Sequence, residues 1–192
     1  LGPTTLSAIT FNFLLSLSGG FLAGFLISRG DPFWTYSCAL AGVISASAGN
    51  DLYHPLQAML IGAAGATIAY KLHYWVENRF KIDDGVGAVA VHGYAGCFGV
   101  IIAGFVLWGY PASPNPDYAV ITPWGQIAGA FIMFFVLGFL PAFIVASLMK
   151  KFGVLRIPEA IEIKGLDVGQ EIAAELAAKE MSDAERAYQG AN

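Results

Sequence analysis

His92 stands where an ionisable side chain is costly. It lies in Val91-His92-Gly93, about seven residues into an apolar run, or about 10 Å along a helix that rises ~1.5 Å per residue. The other two histidines, His54 and His73, fall near the ends of a different run. A neutral imidazole donates with one ring nitrogen and accepts with the other, and it titrates near physiological pH. At membrane depth such a residue faces a bundle interior or a conduction path. Two readings stay open: an interhelical hydrogen bond that holds the bundle together, or a transport or proton path. A metal site has less behind it, because no second His, Cys or carboxylate lies near His92 on its helix. Asp83 and Asp84 directly precede the run. Acids at a helix N-terminus cap free N–H groups and offset the positive dipole end. They are also placed to fix the register of that helix, and so the depth of His92.

The elements that must hold these residues are apolar helices. The chain has 192 residues, 56% of them hydrophobic and only 12% charged. A soluble domain carries about twice that charged fraction. At ~30 Å of hydrocarbon, a crossing takes about 20 helical residues. Five runs approach or meet that length, at about 4–28, 33–48, 55–76, 86–108 and 124–148. They leave almost no polar face for water, and they lack the alternation of barrel strands. The expected fold class is all-α, a polytopic membrane helix bundle over 1–151 followed by a tail over 152–192. No cofactor or enzyme chemistry is expected, and no basic patch suits nucleic acid. Cys38 and Cys97 read as small buried hydrophobes. The chain starts at Leu1, inside an apolar run too long for a secretory signal, as a processed protein or one piece of a longer one would.

The ten Lys and Arg residues set an orientation. They fall between the first and second runs, at the end of the third and in its following loop, and after the fifth. Basic residues are retained on the cytoplasmic side, so the N-terminus is expected outside and the tail inside, in a cell (inner) membrane. Small residues recur at spacing four, as in Ser16-Gly20-Gly24, Ala58-Gly62-Ala66 and Ala95-Gly99-Ala103, and permit close helix crossings. Pro141 removes a backbone hydrogen bond and is expected to kink the last run. Residues 169–188 read as an extended soluble helix.

Residues 83–96 read DDGVGAVAVHGYAG, and residues 153–167 read GVLRIPEAIEIKGLD. The first resembles the Amt/Mep branch of the ammonium transporter and Rh protein superfamily, with its paired acid, short spacer and V-H-G-x-x-G. The second is similar to that family's cytoplasmic signature. The resemblance covers most of residues 1–168. It implies an eleven-helix fold of two inverted five-helix repeats plus a last helix, assembled as a homotrimer in the lipid bilayer. Each subunit has a narrow apolar pore with two histidines sharing a hydrogen bond near the midplane. This chain resembles the last five helices. His92 then matches the pore histidine of the second repeat, with Asp83, Asp84, Gly93 and Gly96 as structural residues near it. Gly153, Arg156, Glu159, Glu162, Gly165 and Asp167 match the tail signature. The partner histidine and the outer recruitment site belong to the N-terminal half of the fold. The implied function is ammonium or ammonia transport for nitrogen uptake. An ammonium sensor signalling through the tail is the alternative. Two positions depart from the family pattern. Gly87 stands where a further acid is common, and 168–172 read VGQEI where the family often has a Ser-x-His-Gly-Glu-like stretch. The second departure bears on tail capping and on regulation by a PII-type partner.

Overall fold

Short capping motifs open the helices. Thr5 Oγ1 accepts from Ala8 N–H (3.2 Å) and starts α1 (Leu6–Ile27). Asp31 Oδ1 accepts from Trp34 N–H (2.8 Å) and starts α2 (Pro32–Ala46), which a 3-10 turn extends over Ser47–Gly49. His54 starts α3 (Pro55–Phe80) with a capping box. Its Nδ1 accepts from Leu56 N–H, and its own N–H donates to Gln57 Oε1 (2.9 Å). Next comes a π-helical turn, Val89–Tyr94, that runs directly into α4 (Ala95–Val106). Thr122 caps α5 (Pro123–Ala130), which continues as a second π-helical stretch, Phe131–Phe139. Proline at the first helical position of α2, α3 and α5 loses no bond there, because that N–H has no intrahelical partner. The structure, a computed structural model, describes residues 5–111 and 119–165, with 175, 178 and 179. The helix expected over 169–188 falls almost wholly outside them.

Two compact units divide the chain at Phe139/Leu140. In the first, α1 packs on both α2 and α3, and α4 packs on α2, α3 and α5. The buried face of α1 is Asn12, Ser16, Gly19, Gly20 and Gly24, while Leu14, Leu22, Phe25 and Leu26 are exposed. This inside-out arrangement suits a lipid solvent, where small residues let backbones close up and large apolar ones face outward. A Cβ on Gly20 would meet the Cys38 carbonyl and the Gly42 Cα, so α1 and α2 touch backbone to backbone. Ser45 of α2 is the joint of three helices. It lies against Gly65 of α3 and Gly99 of α4, and its hydroxyl donates to Ala41 O (2.8 Å). The same oxygen lies 3.2 Å from Ala95 O.

The second unit holds α6 (Leu140–Lys151) and α7 (Glu159–Lys164). Gly153, at φ +72°, ends α6: Val154 N–H donates to Met149 O (3.0 Å) and Gly153 N–H to Lys150 O (3.1 Å).

Three helical stretches among the described residues are long and apolar enough to cross a membrane: Leu6–Ile27, Val89–Val106 and Pro123–Lys151. The helix α2 has only 15 residues, and the second half of α3 carries Lys71, His73, Glu77 and Arg79. The described residues hold no strand, only an isolated bridge between Pro111 and Val120. The fold is therefore an all-α, multi-pass membrane bundle. Both cysteines are free; Cys38 is fully buried, Cys97 only partly.

Candidate functional site

The corner before α4 is built around Asp84. Lys81 closes α3 in the left-handed region (φ 56°), its N–H donating to Glu77 O (2.9 Å). Gly87 N–H donates to Asp84 O (2.7 Å), and Gly87 itself takes φ +65°. That conformation is cheap for glycine and costly for most other residues. Asp84 Oδ1 then accepts from Val89 N–H (3.2 Å) and Oδ2 from Ala90 N–H (3.0 Å). One carboxylate thus satisfies two of the free donors at the start of the helix. Asp83 is exposed and makes no hydrogen bond among the described residues. Of the two acids, only Asp84 is a cap.

His92 rides on the π turn. Ala95 N–H reaches back five residues to Ala90 O. Such turns are wider than α-helical ones and recur at functional sites. Ala90, Val91 and Ala95 are buried in a cluster with Trp34, Cys38 and Ala66. Val89 and His92 are exposed on this chain, and His92 lines none of the four principal cavities. Among the described residues no hydrogen bond or ring contact joins His92 to a second histidine. Gly93 borders open space apart from Val89, and a Cβ on Gly96 would meet the Phe134 ring at 3.3 Å.

The tail signature is more dispersed. Arg156 Nη1 lies 3.7 Å from Glu162 Oε1, both well exposed. Exposed pairs of this kind contribute ~0–1 kcal/mol. Glu159 and Glu162 stand in the first turn of α7, and Gly165 N–H donates to Ile161 O (3.0 Å). Asp167 lies outside the described residues.

A group that sequence reading did not single out lies at the end of α3. His73 is nine-tenths buried, between Glu77 Oε2 and Asp84 Oδ2, each 3.7 Å from a ring nitrogen. Its ring packs edge-on against Trp34 (4.7 Å) and Tyr74 (5.0 Å). Trp34 is 4% exposed and donates from Nε1 to Tyr74 Oη (2.8 Å). Trp34 is thereby built into the helix packing. The spacing of His73 and Glu77 is a sequence signal for one helix face. The approach of Trp34 and Asp84 is tertiary and leaves no local trace.

A sequence profile described as Ammonium Transporter Family matches residues 3–174. The chain belongs to the ammonium transporter family. It is 30% identical over 163 residues to "Ammonium transporter Amt1" of Methanocaldococcus jannaschii, covering 84% of this chain and 40% of that one. It is 27% identical over 172 residues to the "Ammonium transporter" of Corynebacterium glutamicum, covering 84% and 37%. "Putative ammonium transporter 1" of Caenorhabditis elegans is 31% identical over 150 residues, covering 70% and 27%. The chain therefore spans well under half the length of these relatives. All three are named as transporters, none as an enzyme. No solved structure matches.

Proposed function

We propose that the chain forms the second half of an ammonium transporter pore, with His92 as its contribution to the passage. The observation that carries this is family membership together with the place of His92. It is the one histidine well within a span, on a π turn anchored by Asp84, on a face that this chain leaves open. The N-terminal half of the fold would cover that face and bring the partner histidine. Five spans within residues 1–151 would place the N-terminus outside and the tail from 152 in the cytoplasm, in a homotrimer in the cell membrane. Gly93 and Gly96 would keep the helix surface beside His92 low.

The chemistry follows from solvation. A charged ammonium ion pays heavily to enter a dry apolar passage, whereas neutral ammonia does not. Ammonium would lose its water and its proton at an outer site. Ammonia would cross beside the His92 imidazole, which offers one donor and one acceptor. The proton would follow along the paired imidazoles or stay behind.

Uptake of methylammonium and current under ammonium steps, in proteoliposomes of the full protein, test the reading. His92→Ala should lower uptake by about tenfold or more, the scale of a lost proton-transfer group. Unchanged flux and selectivity in that variant would remove His92 from the passage. Saturable binding without any flux would favour the sensor.

A further inference from the structure

The last apolar stretch, Pro123–Lys151, ends on Lys150 and Lys151, and the chain turns at Gly153 into Val154, Leu155 and Arg156. Val154 N–H donates to Met149 O and Gly153 N–H to Lys150 O, so the turn is folded back on the end of α6. A cleft of about 330 Å³ opens there, lined by Lys150, Gly153, Leu155 and Arg156. That is about eleven times the ~30 Å³ share of one water, room for a phosphate with its glycerol rather than for a lone small ion.

Lysines at the end of a span are expected wherever basic residues are retained on one side of a membrane. That rule does not account for an arginine from beyond the turn closing the same cleft. Two cations on one cleft repel each other unless an anion lies between them. Among the described residues Lys150 and Lys151 take part in no ion pair. Arg156 stands 3.7 Å from Glu162, in an exposed pair loose enough to yield. The backbone N–H groups of Leu155 and Arg156 have no hydrogen-bond partner among the described residues, which adds two donors to the cleft's own residues.

The surroundings of the cleft select the anion. Helix α6 buries none of its residues, and Ile144, Val145 and Leu148 stand exposed within two turns of the lysines. Past the lysines, Phe152, Val154, Leu155 and Ile157 are exposed as well. A free phosphate would use the cations and leave this apolar surface bare. A phospholipid answers both, with its phosphate among the cations and its chains beside the helix. A zwitterionic headgroup brings a cation of its own, which cancels much of the attraction.

We infer that the cleft of Lys150, Gly153, Leu155 and Arg156 holds the phosphate of an acidic phospholipid whose chains lie along α6. On the orientation given under Proposed function, which this sentence alone rests on, the lipid belongs to the cytoplasmic leaflet, where acidic headgroups concentrate.

Native mass spectrometry of the full protein in mild detergent makes the test. Phosphatidylglycerol and phosphatidylcholine of the same chains are titrated separately, with inorganic phosphate as a third arm. The expected result is a phosphatidylglycerol bound about fivefold or more tighter than phosphatidylcholine, and not displaced by phosphate. Lys150→Gln with Arg156→Gln should weaken it by about fivefold for each cation removed. Lys71→Gln with Arg79→Gln removes the same charge elsewhere and should leave that lipid bound. All four side chains are exposed, so both variants are expected to fold. Equal affinity for the two lipids, or an unchanged preference in the Lys150/Arg156 variant, overturns the inference. So does an equal loss in the Lys71/Arg79 variant, which would mean a general surface field, or displacement by phosphate, which would mean a free-anion site. Uptake does not enter this readout. Lost lipid binding beside intact flux defeats the cleft alone, and intact lipid binding without flux defeats the transport reading alone.

Discussion

Asp84 and His92 are eight positions apart, and the hydrogen bonds between carboxylate and backbone make them one device. Asp84→Ala frees two N–H groups at the start of the helix, an exposed one at Val89 and a partly buried one at Ala90. It should cost ~1 kcal/mol, the usual worth of an N-cap, with Asp84→Asn milder; thermal unfolding in detergent measures both. A larger fall in uptake than in stability would mark the cap as setting the position of His92. Tyr53, between α2 and α3, gives a pH prediction. Burial first, and then the Asp51 carboxylate, push its phenol from 10.0 up to about 12. Its hydroxyl is buried with no hydrogen-bond partner, so the neutral form is the one the fold holds. The stability it supports is intact below the ordinary value near 10 and is lost as pH climbs through about 12. Ultraviolet phenolate titration of the wild type against Tyr53→Phe should show one phenol ionising late, together with unfolding. The residue-scale reading of the sequence reached the Asp84 cap, because an acid before an apolar run is a local signal. It did not separate Asp84 from Asp83, since that depends on the left-handed Gly87. Nor did it reach the environment of His73, whose partners come from three segments.

At the scale of elements, most helix starts were legible. Asp31-Pro32, His54-Pro55 and Thr122-Pro123 each join a capping residue to a proline that tolerates the first helical position. The small-residue stripes were legible too, and the structure gives each its partner: Gly20 meets Gly42, Gly62 meets Ser16, and Gly99 meets Ser45. The two π-helical stretches were not. A five-residue hydrogen-bond step has no composition of its own, and Val89–Tyr94 and Phe131–Phe139 read as ordinary helix. The second stretch stacks Phe131 on Phe135 (5.2 Å) and Phe135 on Phe139 (5.6 Å), a contact that four-residue spacing allows. Helix α3 runs to Phe80, past the apolar run that ends at 76, and closes at the left-handed Lys81 cap. The packing makes a sharp prediction. Gly65→Val places a branched side chain against Ser45 and should cost ~1–3 kcal/mol or more by overpacking. Gly129→Val, at a glycine with open space around it, should cost far less. Thermal unfolding of the two purified variants makes the comparison.

Among the described residues, most large apolar side chains face outward while the helix crossings are lined by small or polar ones, as suits a lipid solvent. Membership of the ammonium transporter family agrees with this, while the chain spans only about 40% of the relative from Methanocaldococcus jannaschii. The exposed face bearing Val89 and His92 is thus one that the rest of such a protein could meet. The joint at Ser45 has one more consequence. A serine wedged between two glycines locks the three helices together where they cross. In the pore proposed above, such a crossing would favour hopping between fixed positions over turning a scaffold inside out. Chilling should slow methylammonium entry only modestly, far less than it slows a carrier that must rearrange its helices on every cycle.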